Sequence, residues 1–490
     1  MLKNIHHALK EKSKSDDFTQ AAFTVHGKLL HFSYYKTIVN HEQFHHDVLS
    51  FIQISKAEID NLQQLKNLIP IEGTKLSNNL EDISSSLIKG SIYIQFDSDL
   101  NEGLLINIAD LTKGYRKNNE SENEYSVIGP KVGFVEDIDT NLNLLRKELI
   151  TEHLLFEEHI VGSISKTRVV IAYLDGIANP QHVNTVRQRL TELDFDVVFD
   201  TAILDQIIAD NSKSPFPLFN SSERVDRVKF NLLSGKVAIL SSGSPYVLAG
   251  PSTFFDFFIS PEDYYLPWVL GSFFRIIRYF GVAFSILATP LYVAVLTFHY
   301  VVIPKDLLGP IIASRANVPF PPFIEVLFLE ITVELLREAG ARLPTKVAQT
   351  LGIVGGVILG QAAVQAALTS NILIIIVSLS ALASFTTPIF KMSNTIRYLR
   401  FPLMVLAALC GGLGITVGIV FLIGHLLRLK SLGTPYIVPV FPFRYKDFKD
   451  SFIRSSLSLT TERPGYSRPL SSKRYKVPKS KDIGDDYNNE

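Results

Sequence analysis

The sequence predicts a fold in two parts. An α/β two-lobed N-terminal soluble domain precedes an all-α multi-span membrane domain of about four transmembrane helices plus one amphipathic re-entrant or vestibule helix. Three observations carry this expectation. Residues 279–304, 347–390 and 401–427 contain no Asp, Glu, Lys or Arg, and a helix needs about 20 apolar residues to cross a bilayer. Residues 1–278 are an ordinary soluble mixture in which strand-like and helix-like patterns alternate. Within that part, LLHFSYYKTIVNHEQFHHDVLSFI (29–52) and VVIAYLDGIANPQHVNTVRQRLTE (169–192) run in step, Tyr34 matching Tyr173 and Asn40 matching Asn179.

Residues 1–17 are polar and Lys-rich and read as a flexible arm. Lobe 1 is expected over 18–125, with a helix at 80–90 and strands at 91–97 and 103–110. A linker over 126–156 contains a helix from Leu142 to Phe156 that joins the lobes. Lobe 2 is expected over 157–268, with a strand at 169–174, helices at 180–193, 201–210 and 222–234, and a hairpin over 236–251 turning at Ser-Gly-Ser-Pro. Both in-step stretches read as a strand, a short turn and an amphipathic helix capped by Asn. They are a weak internal repeat or a chance similarity. No apolar stretch resembling a signal peptide opens the chain, so the soluble part is expected in the cytoplasm.

The membrane domain is expected over 269–429, with spans at about 279–303, 347–369, 371–390 and 401–427. The stretch PFPPFIEVLFLEITVELLREAGARLP (319–344) places Glu325, Glu330, Glu334 and Glu338 on an otherwise apolar helix, 320–340. At 100° per residue, Glu330, Glu334 and Arg337 share one stripe within about 60°. Glu334–Arg337 and Glu338–Arg342 can pair along the helix. Glu325 stands in the first turn after Pro321-Pro322 and can answer the helix N-terminus. Glu330 has no basic residue three or four positions away.

Topology pulls two ways. Four spans keep both termini in the cytoplasm, in accord with 13 Lys or Arg against 3 acids over 428–481. Lys391, Arg397 and Arg400 then face outward, against the positive-inside tendency. A fifth span at 320–338 reverses both outcomes and sinks Glu330 and Glu334 to mid-bilayer depth, at about 2.5–3.5 kcal/mol each. Residues 430–490 form a basic tail expected to lie along the membrane surface or, at its end, free in solvent.

Gly352, Gly355, Gly356 and Gly360 share a helix face on which backbones can approach closely, within one subunit or between subunits. Gln361 and Gln365 are one turn apart on that helix and either face a pore or make interhelical hydrogen bonds. Ser-Glu-Arg-Val-Asp (222–226) is either a charged knot or a helix start capped by Ser221 or Ser222. His41 and His45 have a spacing that could hold a metal but also fit a solvated helix face, and no metal or cofactor is expected. Cys410 is the only cysteine, so no intrachain disulfide forms. No Walker loop, GxGxxG, HExxH or GxSxG occurs, and no enzyme is expected. The formal net charge of zero argues against a nucleic-acid binder.

Four stretches together resemble the A subunit of GerA-type bacterial spore germinant receptors. They are SVIGPKVGFVEDIDTNLNLLRKEL (126–149); SPFPLFNSSERVDRV (214–228) with SPEDYY (260–265); the 319–344 stretch with LGIVGGVILGQAAVQAA (351–367); and GTPYIVP (433–439). Gly129, Pro130, Gly133, Phe134, Glu136, Asn141 and Arg146 fall on that family's interlobe motif. The chain departs from the pattern at Ser222–Asp226, Phe298-His299-Tyr300 and Arg315-Ala316-Asn317, positions that bear on coupling and gating. The resemblance implies a nutrient receptor subunit of the spore inner membrane, N-terminal domain on the core side. Its implied partners are a multi-span B subunit, a lipoprotein C subunit, further copies of itself and a small nutrient bound directly or through B. It also implies a nutrient-gated cation path, for which Glu330, Glu334, Gln361, Gln365, Pro319 and Pro321 are the pore or gating candidates. The competing readings are a subunit of a small-solute transporter and a membrane-anchored scaffold without a pore.

Overall fold

Two five-stranded antiparallel sheets of the same connectivity organise residues 18–250. The structure, a computed structural model, describes residues 5, 9, 14–25, 27–54, 59, 61–110, 124, 128–343, 356, 359–456 and 459–474. In the first sheet β1 (Phe18–Val25), β2 (Lys28–Tyr35), β3 (Lys75–Ser77), β4 (Ser91–Phe96) and β5 (Asp99–Asn107) lie in the order β1-β2-β4-β5-β3. In the second, β6 (Leu154–Val161), β7 (Thr167–Leu174), β8 (Asn220–Ser222), β9 (Val237–Ser241) and β10 (Val247–Gly250) lie in the order β6-β7-β9-β10-β8. Strand for strand the two orders coincide. Tyr34 and Tyr173 sit on the matching strands β2 and β7. Asn40 and Asn179 then cap the next helix, accepting from the N–H groups of Gln43 and Gln181. The side-chain oxygen satisfies a helix N–H that has no partner inside the helix, so the same local chemistry starts both copies.

Each sheet is covered on both faces, which explains why its central strands read as continuous apolar runs. In β7 and β9, Val169, Ile171, Val237 and Ile239 enter one core, while Val170, Ala172, Ala238 and Leu240 enter the other. That alternation is the two-residue period of a strand. The second core is closed by helices Ile138–Glu148 and Val225–Leu233. The first extends beyond lobe 2: Phe216, Phe257 and Phe258 share it with Val282, Ile389, Met392, Ile396 and Leu426 of the C-terminal helices. The two halves of the chain therefore meet through one continuous apolar core.

Several expectations in the soluble part are corrected. The interlobe helix ends at Glu148, and Leu154–Phe156 begin β6. Residues 15–17 are no loose arm. Asp17 is buried, and Arg146 donates to it through Nε at 3.1 Å and Nη2 at 2.7 Å. Ser15 accepts from Arg146 and from the Phe156 N–H. The guanidinium lies against the rings of Tyr35, at 4.8 Å, and Phe156, at 4.5 Å. Asn143 donates to the carbonyl of Thr37. One cation thus fastens strands of both lobes to the helix between them.

The apolar half is built from Trp268–Thr297, Lys305–Arg315, Pro322–Arg342, Asn371–Ser384 and Phe390–Arg428. Trp268–Thr297 and Phe390–Arg428 are long and apolar enough to cross a membrane. The expected single span over 401–427 is broken. Gly411 adopts φ 61° and ψ −138°, a conformation that favours glycine. The chain reverses there, and Gly418 packs against Leu403 and Leu406. Both ends of the resulting hairpin reach lobe 2: Lys391 pairs with Asp205, Thr395 donates to the Pro215 carbonyl, and Ser214 hydrogen-bonds His425. Its tip meets the far end of Trp268–Thr297, where the Gly412 N–H donates to His299 at 3.1 Å. Lys391 and Arg397 accordingly lie towards lobe 2, not on the opposite side. Pro322–Arg342 is a continuous helix of 21 residues that runs beside Trp268–Thr297 from the far end back towards lobe 2. Gly352 and Gly355 lie outside the described residues, as does the first part of the expected 347–369 span, 347–355.

The tail also differs from expectation. Over its described residues it folds back onto lobe 2. Ser431 donates to the Leu218 carbonyl, Tyr466 to Asp256 and Ser467 to the Ser234 carbonyl. Arg275, at the base of the first long helix, is fully buried and donates to Asp263 and Asp450, joining lobe 2, helix and tail. His182 of lobe 2 lies 3.4 Å from the Thr434 hydroxyl. Burial, with a smaller push from Arg468, lowers its pKa from 6.5 to about 4.

Two outcomes follow for the full chain in detergent. Arg146→Ala leaves the Asp17 carboxylate buried without its cation and lowers unfolding stability by about 3–5 kcal/mol, read by denaturant titration. Neutral His182 belongs to the native state, so the unfolded chain binds the extra proton. Stability is complete above pH 6.5 and falls as pH drops towards about 4; His182→Gln flattens that part of the profile.

Candidate functional site

Arg400 occupies the centre of the helical domain. Its Nη1 lies 2.5 Å from Glu330 of Pro322–Arg342. Its Nε donates to the Ser285 carbonyl at 2.9 Å and its Nη2 to the Ser285 hydroxyl at 2.8 Å, both on Trp268–Thr297. Nη2 also reaches the Ser380 carbonyl of Asn371–Ser384. Four helices therefore converge on one guanidinium. Both partners of the pair are 3% exposed. The hydroxyl of Thr289 also faces the Glu330 carboxylate. The expected acidic stripe is thus divided: Glu330 turns inwards to Arg400, while Glu334 pairs with Arg337 at 3.0 Å and Glu338 with Arg342 at 2.5 Å.

Glu325 is fully buried and serves a helix N-terminus, though not its own. It accepts from the Ser370 N–H at 2.6 Å and the Thr369 hydroxyl at 3.3 Å, at the start of Asn371–Ser384. Arg315 lies 3.3 Å away as its counter-charge. Tyr292 closes the group through a 3.2 Å contact with the Ser370 hydroxyl. This second polar cluster lies one to two helix turns from the first.

The other pore candidates are elsewhere. Pro319 and Pro321 occupy the exposed loop before Pro322–Arg342. Gln361 and Gln365 are exposed on the outside of the chain, and neither hydrogen-bonds a described residue. Gly356 and Gly360 are open, with space where a Cβ would stand.

At the base of the helices, the charged-knot reading of Ser222–Asp226 is the one realised. Arg224 makes two hydrogen bonds to Asp226, at 3.0 and 2.7 Å, and one to Glu262 at 2.7 Å. Arg224, not Ser221 or Ser222, holds the cap position of Val225–Leu233. The interlobe motif reaches the same knot. Gly133 bridges Arg224, the Phe134 N–H donates to the Glu223 carbonyl, and Glu136 accepts from the Gly243 N–H through its carbonyl. Gly129 has φ +116° and Tyr265 packed where a Cβ would be, with Pro130 beside it. Asn141 closes a ring with Val135, accepting its N–H and donating to its carbonyl.

With this geometry in view, a family model described as Bacillus/Clostridium GerA spore germination protein matches residues 3–466. The chain belongs to the GerA spore germination family. It is 47% identical over 467 residues to spore germination protein GerQA of Bacillus cereus, covering 95% of this chain and 93% of that protein. It is 51% identical over 409 residues to spore germination protein GerIA of Bacillus cereus, covering 84% of this chain but only 61% of that longer relative. It is 36% identical over 453 residues to the uncharacterized membrane protein YfkQ of Bacillus subtilis, covering 92% of this chain and 88% of that one. Among solved structures, the N-terminal domain of the A subunit of the Bacillus megaterium spore germinant receptor GerK3 aligns with a TM-score of 0.39 at 26% identity, over 51% of this chain and 94% of that one.

In this GerA-family chain the sequence located Glu330 but not its partner. Arg400 borders a charge-free segment, and that position was the available signal, because a charge at such a border either snorkels to water or is satisfied inside. Only the packing of its helix against Trp268–Thr297 and Pro322–Arg342 brings it to Glu330. Removing one partner of a buried pair strands the other at about 3–5 kcal/mol. Arg400→Leu therefore lowers the melting temperature of the detergent-solubilised chain strongly. Adding Glu330→Leu restores much of the loss, and the double-mutant cycle measures the coupling.

Proposed function

We propose that this chain is the A subunit of a nutrient germinant receptor in the spore inner membrane, and that copies of it assemble around a cation path whose opening triggers germination. Membership of the GerA family supports the role in germination. The assembly and the path rest on one observation: Gln361 and Gln365 project from a charge-free segment, exposed and with no hydrogen-bond partner among the described residues. An amide inside a bilayer needs a hydrogen-bonding partner or water, and a second copy or a wet lumen supplies either. Gly356 and Gly360, open on the same helix, leave room for a close neighbour.

In this reading the helices from Trp268–Thr297 to the two arms of the 390–428 hairpin all lie in the membrane. Lobe 2 and the tail then share the core side, and Lys391 and Arg397 face that side as the positive-inside tendency requires. The continuous core between lobe 2 and the hairpin offers a rigid route by which a movement of the lobes reaches the helices. Glu330 acts through its pair with Arg400, as a structural charge that keeps four helices in one arrangement. The nutrient is met directly or through a multi-span B subunit, and a lipoprotein C subunit completes the receptor.

The test is reconstitution of this chain with its B and C partners in liposomes and measurement of nutrient-triggered monovalent cation flux. Gln361→Leu with Gln365→Leu is expected to abolish the flux or cut it by about tenfold or more while the assembled complex is retained on size-exclusion. Undiminished flux in that variant removes the amides from the path, and no flux in the intact receptor favours a scaffold without a pore.

A further inference from the structure

Lobe 2 and the helices do not close fully against each other. A cavity of about 1060 Å³ remains between them, at the upper end of the roughly 300–1,000 Å³ typical of pockets that take small ligands. Its walls carry five arginines, and four have acids. Arg224 pairs with Asp226 and Glu262, Arg227 with Glu124, Arg278 with Asp263, and Arg337 with Glu334. Arg397 has no acid. It is 7% exposed, its one hydrogen bond to a described residue goes to the neutral side chain of Asn394, and its Nε is buried without a partner.

A buried guanidinium lacking a counter-charge is unfavourable unless something else supplies one. Thr387, on the same cavity wall, also carries a buried hydroxyl with no partner. Phe385, Phe390 and Tyr398 line the cavity with large exposed ring surfaces, and tyrosine is a residue that gathers where hydrocarbon meets water. The missing group is therefore an anion, at the depth where a bilayer presents its phosphates. Guanidinium forks match phosphate oxygens in pairs, and a hydroxyl can donate to a third.

We infer that this cavity is a phosphate-binding site in which Arg397, with Thr387, holds either the headgroup phosphate of an anionic membrane lipid or a phosphate from solution. The site is separate from the Glu330–Arg400 pair, and it stands whether or not the chain conducts ions. It would make the contact between lobe 2 and the helices depend on the bound anion.

The test uses the full chain in a phosphate-free, non-ionic detergent. Thermal melts are recorded with short-chain phosphatidylglycerol, with inorganic phosphate and with glycine as a carboxylate control. At least one phosphate probe is expected to raise the melting temperature. A shift from the lipid alone assigns the headgroup, and a shift from both probes assigns the phosphate group whatever its source. Arg397→Gln should weaken the apparent affinity by about tenfold or more, Arg397→Lys should keep part of it, and Arg342→Gln, on an exposed arginine, should leave it unchanged. Without ligand, Arg397→Gln should melt no lower than the native sequence, because it removes an uncompensated charge. The inference fails if neither phosphate probe shifts the native protein, if glycine alone does so, or if Arg397→Gln keeps the full shift. It also fails if Arg397→Gln is destabilised without ligand and Arg397→Lys no longer binds.

Discussion

The helical half of this chain depends on where a single guanidinium can go. Arg400 is buried among apolar helices, and an isolated charge there would be driven out to water. It stays because Glu330, Ser285 and Ser380 from three other helices satisfy it. Each of those groups has alternatives that are worse, so the pair selects one arrangement of the helices more than it adds to their stability. The reversal at Gly411 serves the same arrangement, since it returns the second arm of the hairpin to lobe 2.

The soluble half repeats this logic in water. Arg146 is buried between two lobes that share one strand order, and Asp17, Ser15 and two aromatic rings surround it. Arg275 does the same where lobe 2, the first long helix and the tail meet. Three buried arginines thus mark the three joints of the molecule: lobe to lobe, lobe to helix, and helix to helix. Arg397 lies near the second joint but, among the described residues, lacks the acid that the other three possess. That contrast, more than the size of the cavity beside it, distinguishes it from a structural charge.

The joints also bear on how a signal would travel. Lobe 2 shares its apolar core with both ends of the hairpin, and the tail is strapped across lobe 2 by Ser431, Tyr466 and Ser467. A shift of lobe 2 cannot be absorbed in a loose linker, because packed cores are rearranged in steps and not continuously deformed. The departures from the family pattern sit at these joints. Ser222–Asp226 forms the knot around Arg224, His299 meets the hairpin tip, and Arg315 neutralises Glu325. Each is satisfied by local partners in this chain.

Much of the fold was legible in the sequence, because strand alternation, Asn caps and charge-free runs are local properties. The repeat of the lobes, the helix at 80–88, the hairpin of β9 and β10, and the i to i+3 and i to i+4 pairs of Glu334 and Glu338 all follow from spacing along the chain. The family followed from motifs of the same kind. What the sequence could not supply were partners far apart in the chain. Glu330 looked unpaired because Arg400 is seventy positions away, and Asp17 looked like part of a loose arm because Arg146 belongs to another element. The 401–427 run met the length rule for a single span, and only tertiary packing folded it at Gly411. Hydrophobic length reports that a segment avoids water; where the chain turns and which charge meets which is decided by the packing of the whole.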